Sequence, residues 1–577
     1  MSSPLRRPMS RPRGPEEDAA LWSRFRGALG DPVSPGNPTW LRVVSAGQPV
    51  LDWGQFAPID PADDLRADAL LKNIWRAGVE RYELTDDAPR PWAIPGATLH
   101  FRDLIHRFDW LADLAGHGEA GEHRALELTD RWIEDHGTFD PFAWRAGPCA
   151  DRAWNWLRCA SLLFGRGEER AERERLACFE RQVAHLDALS DDSPDVQARL
   201  RSFCLLVCLA AMGDDRDRLH RALGRLDAEC TTQILPDGGH VSRSPERLLG
   251  ALCDLVAVRN TLAGCGIDVP DWLTRCLPRM ATMLAFFRAE DGALHPFNDG
   301  SESRPERVDA ALNAVETPPR RFSFSPRSGY QKLSRGGVQV ILDVGEAPEL
   351  PFADFAHAGG LGIELSDGDA RLVTSCGFHP ALYLHFQAAA RRTAAHSTLV
   401  LAGRDSAAFD VNPASRLLCP VGPNGIAAKR LEEADEVWLD AQHSGYRDSV
   451  GLLHRRRLFM SGDGRRVTGE DSLSRPVARA PSEDRRPVLF EIRFHLHPTV
   501  RAYSEPKDNR FKLVSERGPV WYFKTSERTR SEQTIYLARG TAERPQCLLI
   551  SGWADPNGDG SGPPNCVRWS FLREDAS

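Results

Sequence analysis

The spacing of hydrophobic positions changes once along the chain, near residue 320. Between residues 60 and about 315, apolar side chains recur every three to four positions, as they do across Leu99–Leu114. That spacing predicts amphipathic helices. Beyond the Pro- and Arg-rich stretch Glu316–Tyr330 the spacing becomes two, as in Val338, Val340 and Leu342. Alternation of this kind predicts β-strands with one buried face.

The first half contains several further segments with helical spacing, joined by connections that carry Gly, Pro and Asp. The predicted helices are Trp154–Phe164, Leu176–Leu189, Val196–Met212, Leu219–Ile234, Pro245–Leu262 and Trp272–Phe287. Antiparallel helices in series predict paired helices, as in a toroid or a solenoid. No fixed-period repeat is visible, which disfavours a regular repeat array.

The second half contains many short alternating segments separated by turn residues, which predicts an antiparallel β-sandwich. Predicted strands include Ala370–Thr374, Thr398–Leu401, Val437–Ala441, Leu452–Met460, Gln533–Leu537 and Gln546–Ser551. Helices followed by strands predict an α+β two-domain protein. We expect a tail over residues 1–40, a helical domain over 41–318 and a sandwich domain over 322–577.

Composition narrows the class of protein. The 577 residues include 73 Lys+Arg and 81 Asp+Glu, a net charge of −8, which argues against nucleic acid as a partner. No apolar run reaches the roughly 18–20 residues of a membrane span, and the basic N-terminus lacks the apolar stretch of a secretory signal. The 13 cysteines include no Cys-x-x-Cys pair. We therefore expect buried thiols and a cytoplasmic location.

Five segments resemble the heparinase II/III family of polysaccharide lyases. They are Trp144–Trp156, Ile234–Leu248, Phe355–Gly377, Arg391–Gly403 and Ala441–Met460, in that order along residues 140–575. The resemblance implies a helical toroid and a β-sandwich, with an acidic polysaccharide or oligosaccharide held between them. It also implies β-elimination on a uronic acid, and it suggests the periplasm or cell envelope as an alternative location.

β-Elimination needs a group that neutralises the uronate, a base and an acid. By resemblance, Tyr446 matches a catalytic tyrosine and His396 a family histidine. The positive charge of Arg392 would suit contact with the anionic chain. Each residue also has a structural interpretation. Tyr446 would then be a packed loop residue, His396 a satisfied histidine at the start of a strand, and Arg392 part of a solvated surface.

His357 and His396 match two metal-ligating histidines of the family, so a divalent metal, zinc, is the cofactor that the resemblance implies. The family's third ligand is an aspartate, but this chain has Ser375 at that position, followed by Cys376. Serine is a poor zinc ligand, and two histidines are too few for a tight site. We predict that the side chains of His357 and His396 converge. Whether they bind a metal is left open.

The helical half departs from the family pattern. The helix that begins at Ser244-Pro245 lacks the family's Tyr-His pair, and Val196–Arg201 lacks its Asn-His pair. His240, Arg243 and Glu246 lie on the same loop and could bind substrate instead. The alternative is a loop and helix cap with no chemical role.

These departures motivate a rival function, a catalytically degenerate family member that binds an envelope or acidic glycan without cleaving it. A glycoside hydrolase is a third hypothesis, but it needs a pair of carboxylates that the sequence does not offer. His495 and His497 share the outward face of one predicted strand, which we interpret as a solvated surface. The identity of the glycan and the oligomeric state stay open.

Overall fold

The computed structural model describes residues 51–574, apart from 78–79, 86–89, 192, 214, 380–381, 383, 414, 416, 424, 434–435 and 478–485. The predicted tail over residues 1–40 lies outside the described residues.

Thirteen α-helices occur among the described residues, and all but the last precede the large sheets. They are α1 Asp64–Leu71, α2 Leu99–His106, α3 Leu111–Ala115, α4 Gly118–His136, α5 Ala146–Arg158, α6 Ala160–Leu163, α7 Glu169–Leu189, α8 Val196–Met212, α9 Arg216–Gln233, α10 Pro245–Gly264, α11 Asp271–Phe287, α12 Pro305–Asn313 and α13 Leu384–Ala390.

The helices form an inner and an outer layer. Inner helix α8 contacts α5 and α10, and each of these three contacts an outer helix, α7, α9 or α11. The sequence explains the layers, because α8 is apolar nearly all round and buries 13 of its 17 residues, whereas α9 has one stripe and buries 6 of 18. Two such layers are typical of paired antiparallel helices.

Side-chain caps fix where the main helices begin. Asp195, Asp215 and Ser244 each accept a hydrogen bond from the backbone N–H three residues further on, at the starts of α8, α9 and α10. Such caps satisfy N–H groups that have no partner inside the helix.

Twenty-one strands are present among the described residues. They are β1 Ile74–Ala77, β2 Glu80–Glu83, β3 Phe324–Ser325, β4 Tyr330–Arg335, β5 Val338–Asp343, β6 Ile363–Asp367, β7 Ala370–Thr374, β8 Leu399–Leu401, β9 Ala408–Val411, β10 Leu418–Val421, β11 Ala427–Glu433, β12 Glu436–His443, β13 Leu453–Ser461, β14 Arg466–Ser474, β15 Val488–Leu496, β16 Val500–Glu505, β17 Arg510–Ser515, β18 Trp521–Thr525, β19 Thr529–Gln533, β20 Gln546–Ala554 and β21 Cys566–Arg573.

Two large antiparallel sheets form the sandwich. One has the order β11-β12-β13-β14-β21-β18-β17-β16, and the other has the order β19-β20-β15-β7-β6-β5-β4-β3, with β8 paired to β15. Their facing side chains form one core that contains Phe494, Trp521 and Trp569. The predicted α+β fold of a helical domain followed by an antiparallel sandwich is confirmed.

Strand β5 contributes to both domains. Its residues Val338, Val340 and Leu342 belong to the sandwich core, while Ile341 and the neighbouring Tyr330 belong to the core of the helical domain. All six residues of β5 are buried. Alternate residues of β5 therefore point into two different cores, and neither face of this strand is exposed to solvent.

The Pro236–Gly239 loop joins the helical domain to the sandwich. The carboxylate of Asp237 accepts hydrogen bonds from the hydroxyls of Ser325 and Ser328 and from the backbone N–H groups of Arg327 and Ser328. A Cβ at Gly239 would lie 1.9 Å from the Ser328 hydroxyl oxygen, so a larger residue there would displace Ser328 from Asp237. This loop is a structural joint between the domains.

Several local predictions were wrong. Leu99–Leu114 is broken into α2 and α3, because Phe108 adopts a left-handed φ of 61° between them. The hairpin β1–β2 interrupts a region predicted as helical. The strand predicted at Gln533–Leu537 was placed too late in the sequence, because β19 begins at Thr529 and ends at Gln533. His495 and His497 are buried, not solvated, and His497 Nε2 lies 2.8 Å from Glu302 Oε1.

Candidate interdomain site

His357 and His396 lie side by side where the sandwich meets the helical domain. Their ring centroids are 5.4 Å apart, so the two side chains converge as predicted. Both rings are buried. Among the described residues, neither ring nitrogen of His357 has a hydrogen-bond partner. The Nε2 atom of His396 also has none. Buried polar atoms without partners are uncommon and point to a ligand or ordered water.

Local backbone geometry brings these two rings together. His357 follows a short 3₁₀ helix, Phe352–Phe355, and its N–H donates to the side-chain oxygen of Asn298 at 3.0 Å. His396 ends another 3₁₀ helix, Thr393–Ala395, just before β8. Gly359 allows the ring of His396 to lie close to the backbone, because a Cβ at position 359 would be 3.1 Å from His396 Nδ1.

Burial keeps both imidazoles neutral. Desolvation lowers the pKa of His396 to about 4, although the backbone carbonyl of Ala390 acts in the opposite direction. Desolvation also lowers the pKa of His357 well below its ordinary value, and the nearby His396 and Arg391 lower it further. Neutral rings with open nitrogens can accept a proton or bind a polar ligand.

Three charged residues complete what we call the interdomain site: Arg247, Asp299 and Arg391. Arg247 Nε donates to Asp299 Oδ2 at 2.7 Å, and its guanidinium lies 4.1 Å from the centroid of the Phe355 ring. Asp299 Oδ1 is buried and has no hydrogen-bond partner among the described residues. The site therefore contains one carboxylate oxygen and three imidazole nitrogens that are open.

The donor set does not fit a zinc ion. Cys376 Sγ lies 3.7 Å from His495 Nδ1 and 3.8 Å from Thr534 Oγ1, and burial raises the pKa of this thiol to about 12. Among the described residues, no group of three His, Cys, Asp or Glu side chains is placed to hold a metal. Two histidines fall short of the four ligands of a structural site and the three of a catalytic one.

Tyr446 is inside the sandwich core. Its ring is fully buried, and its hydroxyl donates to the backbone oxygen of Leu399 at 2.7 Å. Burial raises the pKa of this phenol above its ordinary range. A hydroxyl held in this way does not face the interdomain site, so we do not include Tyr446 in it.

Arg392 lies at the surface. Its side chain is about half exposed and pairs with Asp405 at 2.7 Å. Its neighbour Arg391 is buried instead, and the backbone oxygen of Arg391 accepts a hydrogen bond from Ala358 N–H at 2.9 Å. Of the two arginines, Arg391 is the one beside His357.

The three predicted substrate-binding residues all have internal partners. His240 Nε2 donates to Gln233 Oε1 at 2.9 Å, and its Nδ1 accepts from the Ser242 hydroxyl at 2.7 Å. Glu246 accepts from Ser301 and Ser303 and pairs with Arg307. Arg243 reaches across the domain boundary to Asp343 and to four backbone oxygens. Of the three, Arg243 joins the two domains, whereas the partners of His240 and Glu246 lie within the helical domain.

Sequence reasoning missed Arg247 and Asp299. Arg247 directly follows the Glu246 that was singled out, and Asp299 lies in the turn Asn298–Gly300 after the last long helix. The polar turn that follows the last long predicted helix was the available signal. The pairing across 52 positions was not readable from the sequence.

The C-terminal half matches a known family profile. The profile described as "Heparinase II/III-like, C-terminal" matches residues 317–570. A protein from Caulobacter vibrioides, FtsZ-localized protein C, is 34% identical over 474 residues, which cover 80% of this chain and 79% of that protein. The chain belongs to the heparinase II/III-like family. The predicted resemblance is thus confirmed.

Solved structures of this family share the fold. Heparinase III aligns with a TM-score of 0.65 at 14% identity, covering 97% of this chain and 89% of that one. Heparan sulfate lyase HepC from Pedobacter heparinus aligns with a TM-score of 0.54 at 14% identity, covering 96% of this chain and 91% of that one.

Among the described helices, none is both long and apolar enough to cross a bilayer.

Proposed function

We propose that this chain is a non-cleaving member of the family that acts at the cell-division site and binds an acidic glycan. Its relative in Caulobacter is named for localisation with FtsZ and is similar over most of both chains. The likeness to heparinase III at 14% identity concerns the fold alone.

Charge compensation carries the proposal. Four arginines at and near the inner helices are each paired with carboxylates of the same domain at 2.5–3.0 Å. They are Arg107 with Asp103 and Asp151, Arg201 with Asp151 and Asp254, Arg247 with Asp299, and Arg307 with Asp60 and Glu246. A lyase must present positive charge to a uronate, and these four guanidinium groups are already neutralised. Of the arginines at the interdomain site, Arg391 is the one without a carboxylate in ion-pair distance among the described residues, and its guanidinium donates to the backbone oxygen of Leu418.

One enclosed cavity at the domain boundary is too small for a sugar. A cavity of about 20 Å³ is lined by Gln197, Asp254 and Arg247 from the helical domain and Phe355 from the sandwich. A volume of that size accommodates about one water molecule and not a sugar ring.

Two measurements test this function. A fluorescent fusion of the full chain in its own cell should form a band at the division site and disperse when FtsZ is depleted. Incubation with a panel of uronate polymers should give no increase in the absorbance of the unsaturated product. Product formation that disappears in a His396→Ala variant would sink the non-cleaving assignment.

A second candidate, a lyase, is favoured by one observation. His396 Nε2 and both nitrogens of His357 are open, and both rings are held neutral, as a general base requires. The absorbance assay separates the two candidates, because only a lyase yields the unsaturated sugar.

A further inference from the structure

A groove runs along one edge of the sandwich, away from the interdomain site. It lies between β16 and β19, the edge strands of the two sheets, and has a volume of about 460 Å³. Its lining includes Arg501, Tyr503, Ser531, Gln533, Arg544 and Gln546. Volumes of roughly 300–1,000 Å³ are typical of ligand sites.

Two arginines of this groove are unpaired, unlike the four paired arginines of the helical domain. Arg501 and Arg544 are exposed, and neither has an ion-pair partner in the part of the chain that the structure describes. Glu532, the carboxylate in the lining, pairs with Arg530 at 3.5 Å. Two guanidinium groups are therefore free to bind an anion, and Arg matches the planar geometry of a carboxylate.

Tyr503 adds an open aromatic face. Its side chain is 56% exposed, and its ring has no aromatic or cationic partner among the described residues. The face of an aromatic ring is electron-rich and attracts weakly positive hydrogens. The C–H bonds on one face of a pyranose ring supply such hydrogens, while its hydroxyl groups suit the side chains of Ser531 and Gln533.

The edges of the groove are closed to an added strand. Gln546 Oε1 accepts from Ala502 N–H at 2.8 Å, and Gln546 Nε2 donates to Ala502 O at 3.1 Å, so a side chain occupies the edge of β16. Strand β19 carries Arg530 and Glu532, and charged residues on an edge strand disfavour pairing with another chain. A ligand recognised through its own substituents fits better than an extended peptide.

We infer that this edge groove binds an acidic saccharide, with the sugar ring on Tyr503 and its carboxylates on Arg501 and Arg544. The chemical class rests on the proposed function, but the location does not. The inference gives the glycan a site where the positive charge is not neutralised, and it requires no cleavage.

Calorimetry with the full chain tests this site. The probes are an oligogalacturonate and its methyl ester, which has the same sugar rings without the charges. We expect the acid to bind and the ester to bind at least about ten-fold more weakly, since the carboxylate–Arg contacts are lost. Arg544→Ala and Tyr503→Ala should each weaken binding of the acid by a similar factor.

Two control variants make the result specific. Arg517→Ala removes the same charge from another exposed position, and His396→Ala alters the interdomain site; both should bind the acid like the wild type. Absence of binding to the wild type, equal effects of Arg544→Ala and Arg517→Ala, or loss in His396→Ala alone would overturn the inference. So would displacement of the sugar by an acidic extended peptide. Cleavage of the polymer would instead count against the proposed function and leave the groove intact.

Discussion

Arg243 of the helical domain and Asp343 of the sandwich form a buried ion pair, although 100 positions separate them in the sequence. Arg243 also adopts a left-handed φ of 61°, which non-glycine residues rarely do. The surrounding contacts hold it there. Its guanidinium donates to the backbone oxygens of Ser328, Gly329, Gly345 and Glu346.

Replacing Arg243 should weaken the coupling between the two domains when the protein unfolds. Arg243→Met leaves Asp343 buried without its counter-charge, and breaking a buried pair costs about 3–5 kcal/mol. We expect a lower urea midpoint, with the two domains unfolding in distinct steps. Arg392→Met is the matched control, because Arg392 pairs with Asp405 at the surface and should lose at most about 1 kcal/mol. Equal effects of the two changes would contradict the role of Arg243.

Tyr446→Phe should affect stability and not ligand binding. It removes a hydroxyl that donates to Leu399 O inside the sandwich core, which costs about 1 kcal/mol. Tyr503→Phe is the control, because Tyr503 is exposed and should leave the unfolding midpoint unchanged. If Tyr446→Phe kept full stability but altered glycan binding or cleavage, the structural role would be wrong.

The stability of the protein should fall as the pH drops below about 6.5, and His240 contributes to that slope. Its Nδ1 accepts from Ser242 N–H at 3.1 Å while Nε2 donates to Gln233, so the ring is neutral. Desolvation first and then Arg247 lower its pKa to about 3. Between pH 3 and 6.5 the unfolded chain binds this proton and the folded chain does not. Acid therefore favours unfolding by about 1.4 kcal/mol per pH unit.

His240→Asn provides the measurement. Its side-chain oxygen replaces Nδ1 as acceptor but does not titrate. Urea unfolding at several values between pH 5 and 7.5 should show a slope shallower than wild type by about one proton. An unchanged slope would mean that His240 is protonated in the folded state.

Zinc should not bind tightly to the wild type, because the position of the third ligand is a serine. Ser375→Asp supplies a carboxylate there, and we expect it to raise zinc affinity in calorimetry by ten-fold or more. Ser375→Asn, of similar size, should not. Because the buried Glu364 accepts from Ser375 N–H at 2.8 Å, each variant needs a check of folding by circular dichroism. Tight binding by the wild type would show that the two histidines recruit a ligand that we have not identified.

The long helices and most strands were readable from the sequence because their periodicity is local. Helix Val196–Met212 and strand Ala370–Thr374 have the predicted bounds. Motif resemblance also brought His357 and His396 together correctly. In both cases the information lies within short stretches of the chain.

Contacts between distant segments were not readable. His497 is buried because Glu302, 195 positions away, covers it, and periodicity assigned the same face to solvent. Tyr446 matched a motif, but a motif gives a residue type and not the direction of its hydroxyl. Arg243 and Glu246 were taken for free polar groups because their partners lie in other segments.

Strand β5 has a consequence for the history of this protein. With Val340 facing one core and Ile341 the other, neither domain has a complete surface of its own. A gene fragment encoding the sandwich alone would leave Ile341 and Tyr330 exposed to water. Recombination that separated the two halves would therefore carry a cost in exposed apolar surface, which favours their inheritance as one unit.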